Sequence, residues 1–168
     1  DLFLFESGIV DLKGWCDLMA QLLERHFNNP GRLNLSVAQS SYDTWLDGYR
    51  VGVPGRKGSI YVEGAVLAFL CDTRILECTD GKASLSTAMR LLWDRYGKPR
   101  RGLTADMYWD VLAEVAGERL DDLRRDHAEG TADAWLPLVH AFATQGLALS
   151  QRVDDAGLTR VAIAPTSA

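Results

Sequence analysis

From Ile60 to Cys71 every position is apolar or glycine except Glu63. At about 100° per residue, such a run predicts a helix between Ser59 and Gly81 that is buried on most sides. The same spacing puts Tyr61, Gly64, Ala65, Ala68 and Asp72 on one face, and Glu63, Arg74 and Glu77 on the opposite one. Small residues beneath a tyrosine let another backbone approach closely. The pattern alone leaves open whether Tyr61 serves packing, as a core tyrosine with a backbone partner, or chemistry.

Other segments repeat at helical spacing with their own start and stop signals. Asp11 is placed to N-cap a helix whose stripe is Leu12, Trp15, Cys16, Met19, Leu22, Leu23 and His26, stopped after Phe27 by Asn28, Asn29, Pro30 and Gly31. A short helix is expected from Tyr42 to Leu46, capped by Ser40 or Ser41, with a loop from Gly48 to Gly58 after it. Ser84 opens a helix with Leu85, Ala88, Met89, Leu92 and Tyr96 in register and Gly97 at its end. Thr104 caps a helix to about Ala116 with Gly117 behind it, Leu120–Ala128 forms a short charged one, and Pro137 fits the first turn of another ending near Thr144. Leu2–Glu6 is readable as a strand or as the tail of a helix. After Gly146 the texture changes to alternation, LALSQRV and LTRVAIA around DDAG, which predicts two strands joined by a turn. The fold class is therefore mainly α with a short C-terminal β hairpin, divided as a helical lobe over 1–145 and a β segment over 146–168.

A length of 168 residues suits one domain, or one domain and the edge of another. The balance of 18 basic against 23 acidic residues, a net charge of -5, argues against nucleic acid as a partner. Basic clusters at Lys98, Arg100, Arg101 and at Arg124, Arg125 are expected to be solvated helix ends. The longest apolar stretch, about 12 residues, falls short of the roughly 20 that span a bilayer, so no membrane partner is expected. Cys71 and Cys78, seven apart on one helix, have Cα atoms ~10 Å apart, beyond the roughly 7 Å a disulfide tolerates; buried thiols are expected. Nothing at Asp1 resembles a leader, and the compartment stays open between a bacterial periplasm and cytoplasm.

His26, His127 and His140 do not pair at i, i+4, and HExxH, CxxC and GxSxG are absent. No complete metal site is expected in the chain, and the three histidines read as surface or half-buried residues. The loop GVPGRKGS, Gly52 to Ser59, brings Arg56 and Lys57 to a helix N-terminus without meeting the P-loop spacing. It reads as a plain loop, with a weaker reading of Arg56 and Lys57 as contacts for a substrate carboxylate or another anion.

Four stretches in succession resemble the bacterial glycyl aminopeptidases, zinc metallopeptidases whose catalytic domain is commonly followed by a PDZ domain. SSYDTWLDGYR, Ser40 to Arg50, is similar to that family's Ser-Ser-aromatic-Asp-x-Trp segment, and SIYVEGAVLAFLCDTRI to its S-Y-Y-x-K-G-A-x-x-A-L-x-L-D-x-x-I. GKASLSTAMRLLWDRYGK, Gly81 to Lys98, looks like G-x-x-S-L-x-x-x-x-x-x-L-W-x-x-Y-G, and LTADMYWDVLAEVAGERLDDL with EGT at Glu129 to Thr131 follows. The resemblance covers about Asp1 to Leu147.

The resemblance implies the C-terminal helical lobe of a thermolysin-like catalytic domain. The HExxH helix and the glutamate ligand would lie before Asp1, LFLFESGIVD would be the tail of the ligand helix, and the segment after Gly146 would be the start of a PDZ-like domain, with too few strands here to complete one. Zinc belongs to the parent protein and none to this chain, which by itself would be inactive. Its partners would be the peptide substrate, with glycine or another small residue at its N-terminus, and the HExxH-bearing remainder of the polypeptide. Tyr61 matches the tyrosine that, in the related aminopeptidase N family, lies across the zinc and donates a hydrogen bond to the tetrahedral intermediate. A phenol is protonated at neutral pH and can donate without adding ground-state charge. Glu63 replaces the usual lysine, and its place opposite Tyr61 implies a change of surface or interface charge. The rival implication is a non-catalytic helical module that binds a peptide or protein on the same scaffold.

Overall fold

The computed structural model describes residues 4–5, 7–47, 53 and 55–166. The first of these settle how Leu2–Glu6 ends. Leu4 and Phe5 are helical, Ile9 N–H donates to the Leu4 carbonyl and Gly8 N–H to the Phe5 carbonyl, both at 2.9 Å, with Gly8 at φ 73°. That is the closing pattern of a helix that ends on a left-handed glycine, so the helix-tail reading holds here; Leu2, Phe3 and Glu6 lie outside the described residues.

Helix α1 (Leu12–Phe27) starts on Asp11, whose Oδ1 accepts from Gly14 N–H at 2.7 Å. A 3₁₀ turn (Pro30–Leu33) leads to α2 (Val37–Asp47), which is longer than expected. Its cap is Ser36 rather than Ser40 or Ser41: Ser36 Oγ accepts from Gln39 N–H while Gln39 Oε1 accepts from Ser36 N–H. This capping box starts the helix a turn earlier. Ser40 is buried, and its carbonyl accepts from Thr44 Oγ1 at 2.7 Å. Of the expected loop 48–58, residues 48–52 and 54 lie outside the described residues.

Helix α3 (Ile60–Cys78) is followed by α4 (Leu85–Leu92), which continues as a wider π turn over Trp93–Gly97. Next come α5 (Ala105–Ala116), closed by Gly117 at φ 77°, then α6 (Asp121–Leu123) with a π turn over Arg124–Ala128, and α7 (Trp135–Thr144). Strands β1 (Leu147–Val153) and β2 (Thr159–Pro165) pair antiparallel with Leu147 opposite Pro165 and Val153 opposite Thr159. Asp154 holds the turn between them by accepting from Ala156 and Leu158 N–H.

Among the described residues, helix α3 packs against α1, α2, α4, α5, α6 and α7. Its Val66, Leu70, Cys71 and Ile75 meet Trp15, Met19 and Leu23 of α1, Leu112 of α5 and Leu138 and Phe142 of α7 in one core. Phe142 is fully buried and stacks at an angle against Phe69, with ring centres 4.7 Å apart, and against Trp15 at 6.2 Å. The hairpin joins this body. Leu147 and Val161 reach the core, Glu24 accepts from Val161 N–H, and Asn28 both donates to the Thr159 carbonyl and accepts from its N–H. Two side chains of α1 thus satisfy the outer edge of β2, which would otherwise present unpaired backbone groups.

Cys16 and Cys71 are buried free thiols, and burial pushes Cys71 up to about 12. Cys78 departs from the expectation of buried thiols: it sits exposed in the last turn of α3. Among the described residues no helix is long and apolar enough to cross a membrane. The basic clusters are mostly paired, with Arg124 on Asp106 and Glu129 at 2.7 Å and Lys98 on Asp94 at 2.6 Å.

Because Phe142 joins α1, α3 and α7, Phe142→Ala should lower unfolding stability by about 3–5 kcal/mol in urea denaturation. A loss below about 1 kcal/mol would mean the three helices do not share one core.

Candidate functional site

The site is built on the first turn of α3. Ser59 takes the N-cap position but its side chain makes no capping bond, so other contacts must fix where the helix begins. One is the approach of the preceding loop to the 3₁₀ turn. A Cβ on Gly31 would collide with the Lys57 backbone, and Asn34 Nδ2 donates to the Gly55 carbonyl at 2.5 Å. The second is Glu63. A Cβ on Gly58 would lie 3.0 Å from Glu63 Cγ, so the glycine lets the carboxylate side chain fold under the loop.

Glu63 is where the structure corrects the sequence reading most. It is 9% exposed, and its Oε2 lies 2.7 Å from Nδ1 of His26, at the end of α1. The Glu63 side of the helix turns inward at its start: Val62, Glu63, Val66, Leu70 and Thr73 are buried, while Gly64, Ala65, Ala68 and Asp72 on the tyrosine side are only partly covered, and Glu77 further along is exposed. An ionised carboxylate accepts only, so Nδ1 carries the hydrogen in this bond. His26, read as surface or half-buried, is 4% exposed; its ring lies edge-on to Phe27 with centres 4.7 Å apart. His127 is half-buried and His140 exposed, within the earlier reading. Burial holds the His127 imidazole below its ordinary value, although Asp126 acts the other way.

Tyr61 stands two residues before Glu63, on the other side of the helix, and is 67% exposed. Arg56 is exposed and Lys57 half-buried on the loop just before it. The structure therefore gathers Tyr61, Arg56 and Lys57 in one segment at the mouth of α3, and gathers His26 and Glu63 beneath it.

A second concave region lies between α3, α6 and α7, a cleft of about 380 Å³. Its charged groups are already paired: Arg74 donates to both carboxylate oxygens of Asp122, the shorter contact at 2.9 Å, and His140 Nε2 meets Glu77 at 2.7 Å. Burial acts to raise the Asp122 carboxyl, but Arg74 outweighs it and holds the group below the ordinary carboxylate range. Among the described residues no three His, Cys, Asp or Glu side chains come together in a way that could hold a metal ion.

Residues 1–67 match the family model for M61 glycyl aminopeptidase. The matched part runs from α1 into the first half of α3 and contains His26, Arg56, Lys57, Tyr61 and Glu63. It supports the glycyl aminopeptidase family and a peptidase fragment, on the segment that carries the candidate site. None of the curated proteins and none of the solved structures compared with the chain gives a match.

The signal for the missed pair was present in the sequence. His26 sits in the apolar stripe of α1, and Glu63 is the single charge in the apolar run of α3. Two ionisable residues on two buried faces require partners, and each is the other's. Removing either leaves the other buried and alone, which costs about 3–5 kcal/mol. His26→Leu and Glu63→Leu should each destabilise the protein by that order in urea denaturation. The double variant should be more stable than either single one; additive losses would show that the two side chains do not act as a pair.

Proposed function

We propose that this chain is the helical lobe of a zinc metallo-aminopeptidase that removes glycine or another small N-terminal residue from peptides. The observation that carries the reading is the glycyl aminopeptidase match over residues 1–67, together with an exposed tyrosine at the matched position on the first turn of α3. The residues described here do not make a zinc site, so the metal would be held by the remainder of the polypeptide, and no step is assigned to it.

This lobe contributes a donor. Tyr61, reaching out from a helix start that is fixed from below by Glu63 and His26, donates its phenolic hydrogen to the oxyanion that forms as water adds to the scissile carbonyl. Fixed donors aimed at developing charge account for much of the rate of acyl transfer, because the reaction does not have to reorganise them. Arg56 and Lys57, on the loop before Tyr61, would meet carboxylate or carbonyl groups of the substrate. The hairpin after Gly146 would lead into a PDZ-like domain in a parent protein that, on the resemblance, would be bacterial. Glu63 in place of the family's lysine is a structural anchor in this reading, since a buried side chain cannot touch substrate.

In the intact protein, Tyr61→Phe should lower kcat on a glycyl anilide by ~10²-fold or more with little change in KM. Unchanged turnover would remove Tyr61 from the mechanism and favour a helical module that binds peptides without cleaving them. Zinc-dependent, chelator-sensitive cleavage by purified residues 1–168 alone would contradict the division of the site between this lobe and the rest of the polypeptide.

A further inference from the structure

Beneath the start of α3 the 3₁₀ turn, the beginning of α2 and the loop at 130–134 enclose a cavity of about 30 Å³, lined among others by His26, Arg32, Ser36, Glu63, His127 and Thr131. About 10–15 Å³ already admits a water, so the space suits a monatomic ion or a group the size of formate. Two of these lining residues carry a buried nitrogen with no hydrogen-bond partner among the described residues: Nε2 of His26 and Nε of Arg32. The His26 side chain is 5% exposed. That of Arg32 is 14% exposed, with its guanidinium 5.3 Å from the centre of the Phe27 ring and Nη1 3.7 Å from Asp133 at the surface. Leaving such groups unsatisfied costs about 1–3 kcal/mol each, and more when they are charged. The cavity is where a partner would have to be.

The polarity of the wall decides what kind of partner. Arg32 Nε can only donate. Nδ1 of His26 faces Glu63, so Nε2 becomes a second donor in the imidazolium form, which an anion beside it favours. Ser36 and Val37, at the start of α2, also line the cavity. The Ser36 and Gln39 box satisfies two backbone groups there, and the first N–H groups of an 11-residue helix still direct positive potential into the space. Glu63 offsets the imidazolium, and the nearly buried Arg32 has as its counter-charge only the long contact to the largely exposed Asp133.

We propose that this cavity is a binding site for one small monoanion, chloride or a formate-sized carboxylate, held by Nε–H of Arg32 and Nε2–H of a protonated His26 at the N-terminus of α2. The site is separate from the aminopeptidase reading and stands or falls without it. Occupying it steadies the end of α1 and, through Glu63, the first turn of α3.

The test uses residues 1–168 with chloride, bromide, formate and gluconate as the probes. At constant ionic strength, replacing gluconate by chloride or formate should raise the melting temperature along a saturable curve. Bromide in crystals should give an anomalous peak between Arg32 and His26. Arg32→Met should weaken the apparent affinity about tenfold or more. A response to chloride alone identifies a halide site, and one to formate alone a carboxylate site; both fall within the proposal. Melting curves identical in all four salts, or bromide-soaked crystals with no peak in the cavity, would overturn it. Should Arg32→Met fail to fold, the wild-type melting curves and anomalous map still decide.

Discussion

A carboxylate placed inside an apolar helix dictates much of what surrounds it. Glu63 is that carboxylate, and it lies in the first turn of the helix that α1, α2 and α4 to α7 all touch. Burial without a partner would be too costly to tolerate. Its position therefore requires the end of α1 to come within hydrogen-bond reach, requires Gly58 to be a glycine so that the side chain can tuck under the loop, and fixes the turn of α3 on which Tyr61 stands. The apolar core supplies the bulk of the stability, but it could tolerate small slides of one helix along another. A single directional bond at 2.7 Å between α1 and α3 removes that freedom at the end of the helix where the candidate chemistry is.

The arrangement also relates the two faces of α3. Its inner face carries the pair and the cavity below it; its outer face carries Tyr61, with Arg56 and Lys57 on the incoming loop. A donor that acts on a transition state has to be held still, and the backbone of the first turn, anchored by Glu63 two residues on, contributes to that. The glutamate at this position is matched by the histidine that faces it, which joins α1 to α3.

Local features were readable from the sequence because they depend on neighbours. Asp11 and Thr104 cap their helices as their chemistry suggests, Gly117 ends α5 in the left-handed conformation only glycine adopts easily, and the alternation after Gly146 forms the hairpin. The start of α2 was expected too late because Ser40 and Ser41 are cap-type residues next to it, whereas the box that starts the helix pairs Ser36 with the glutamine three residues on. The inner and outer sides of α3 were harder. A run that is apolar all round has no periodic polar stripe to orient it, so its one charge reads equally as a surface or an interface position. Only the approach of α1 decides between them, and packing between helices is not encoded within a single helix. Tyr61 was legible as a candidate through its resemblance to a family, and the residues that support it were not.

Nitrogen-resolved NMR of the His26 imidazole in residues 1–168 tests the central claim, that the Glu63 bond joins α1 to the start of α3, most directly. The account predicts a hydrogen on Nδ1, shifted far downfield, coupled to a ring that does not flip, and exchanging slowly with water. A ring protonated on Nε2 alone, or an Nδ1 hydrogen that exchanges as fast as that of an exposed histidine, would contradict it.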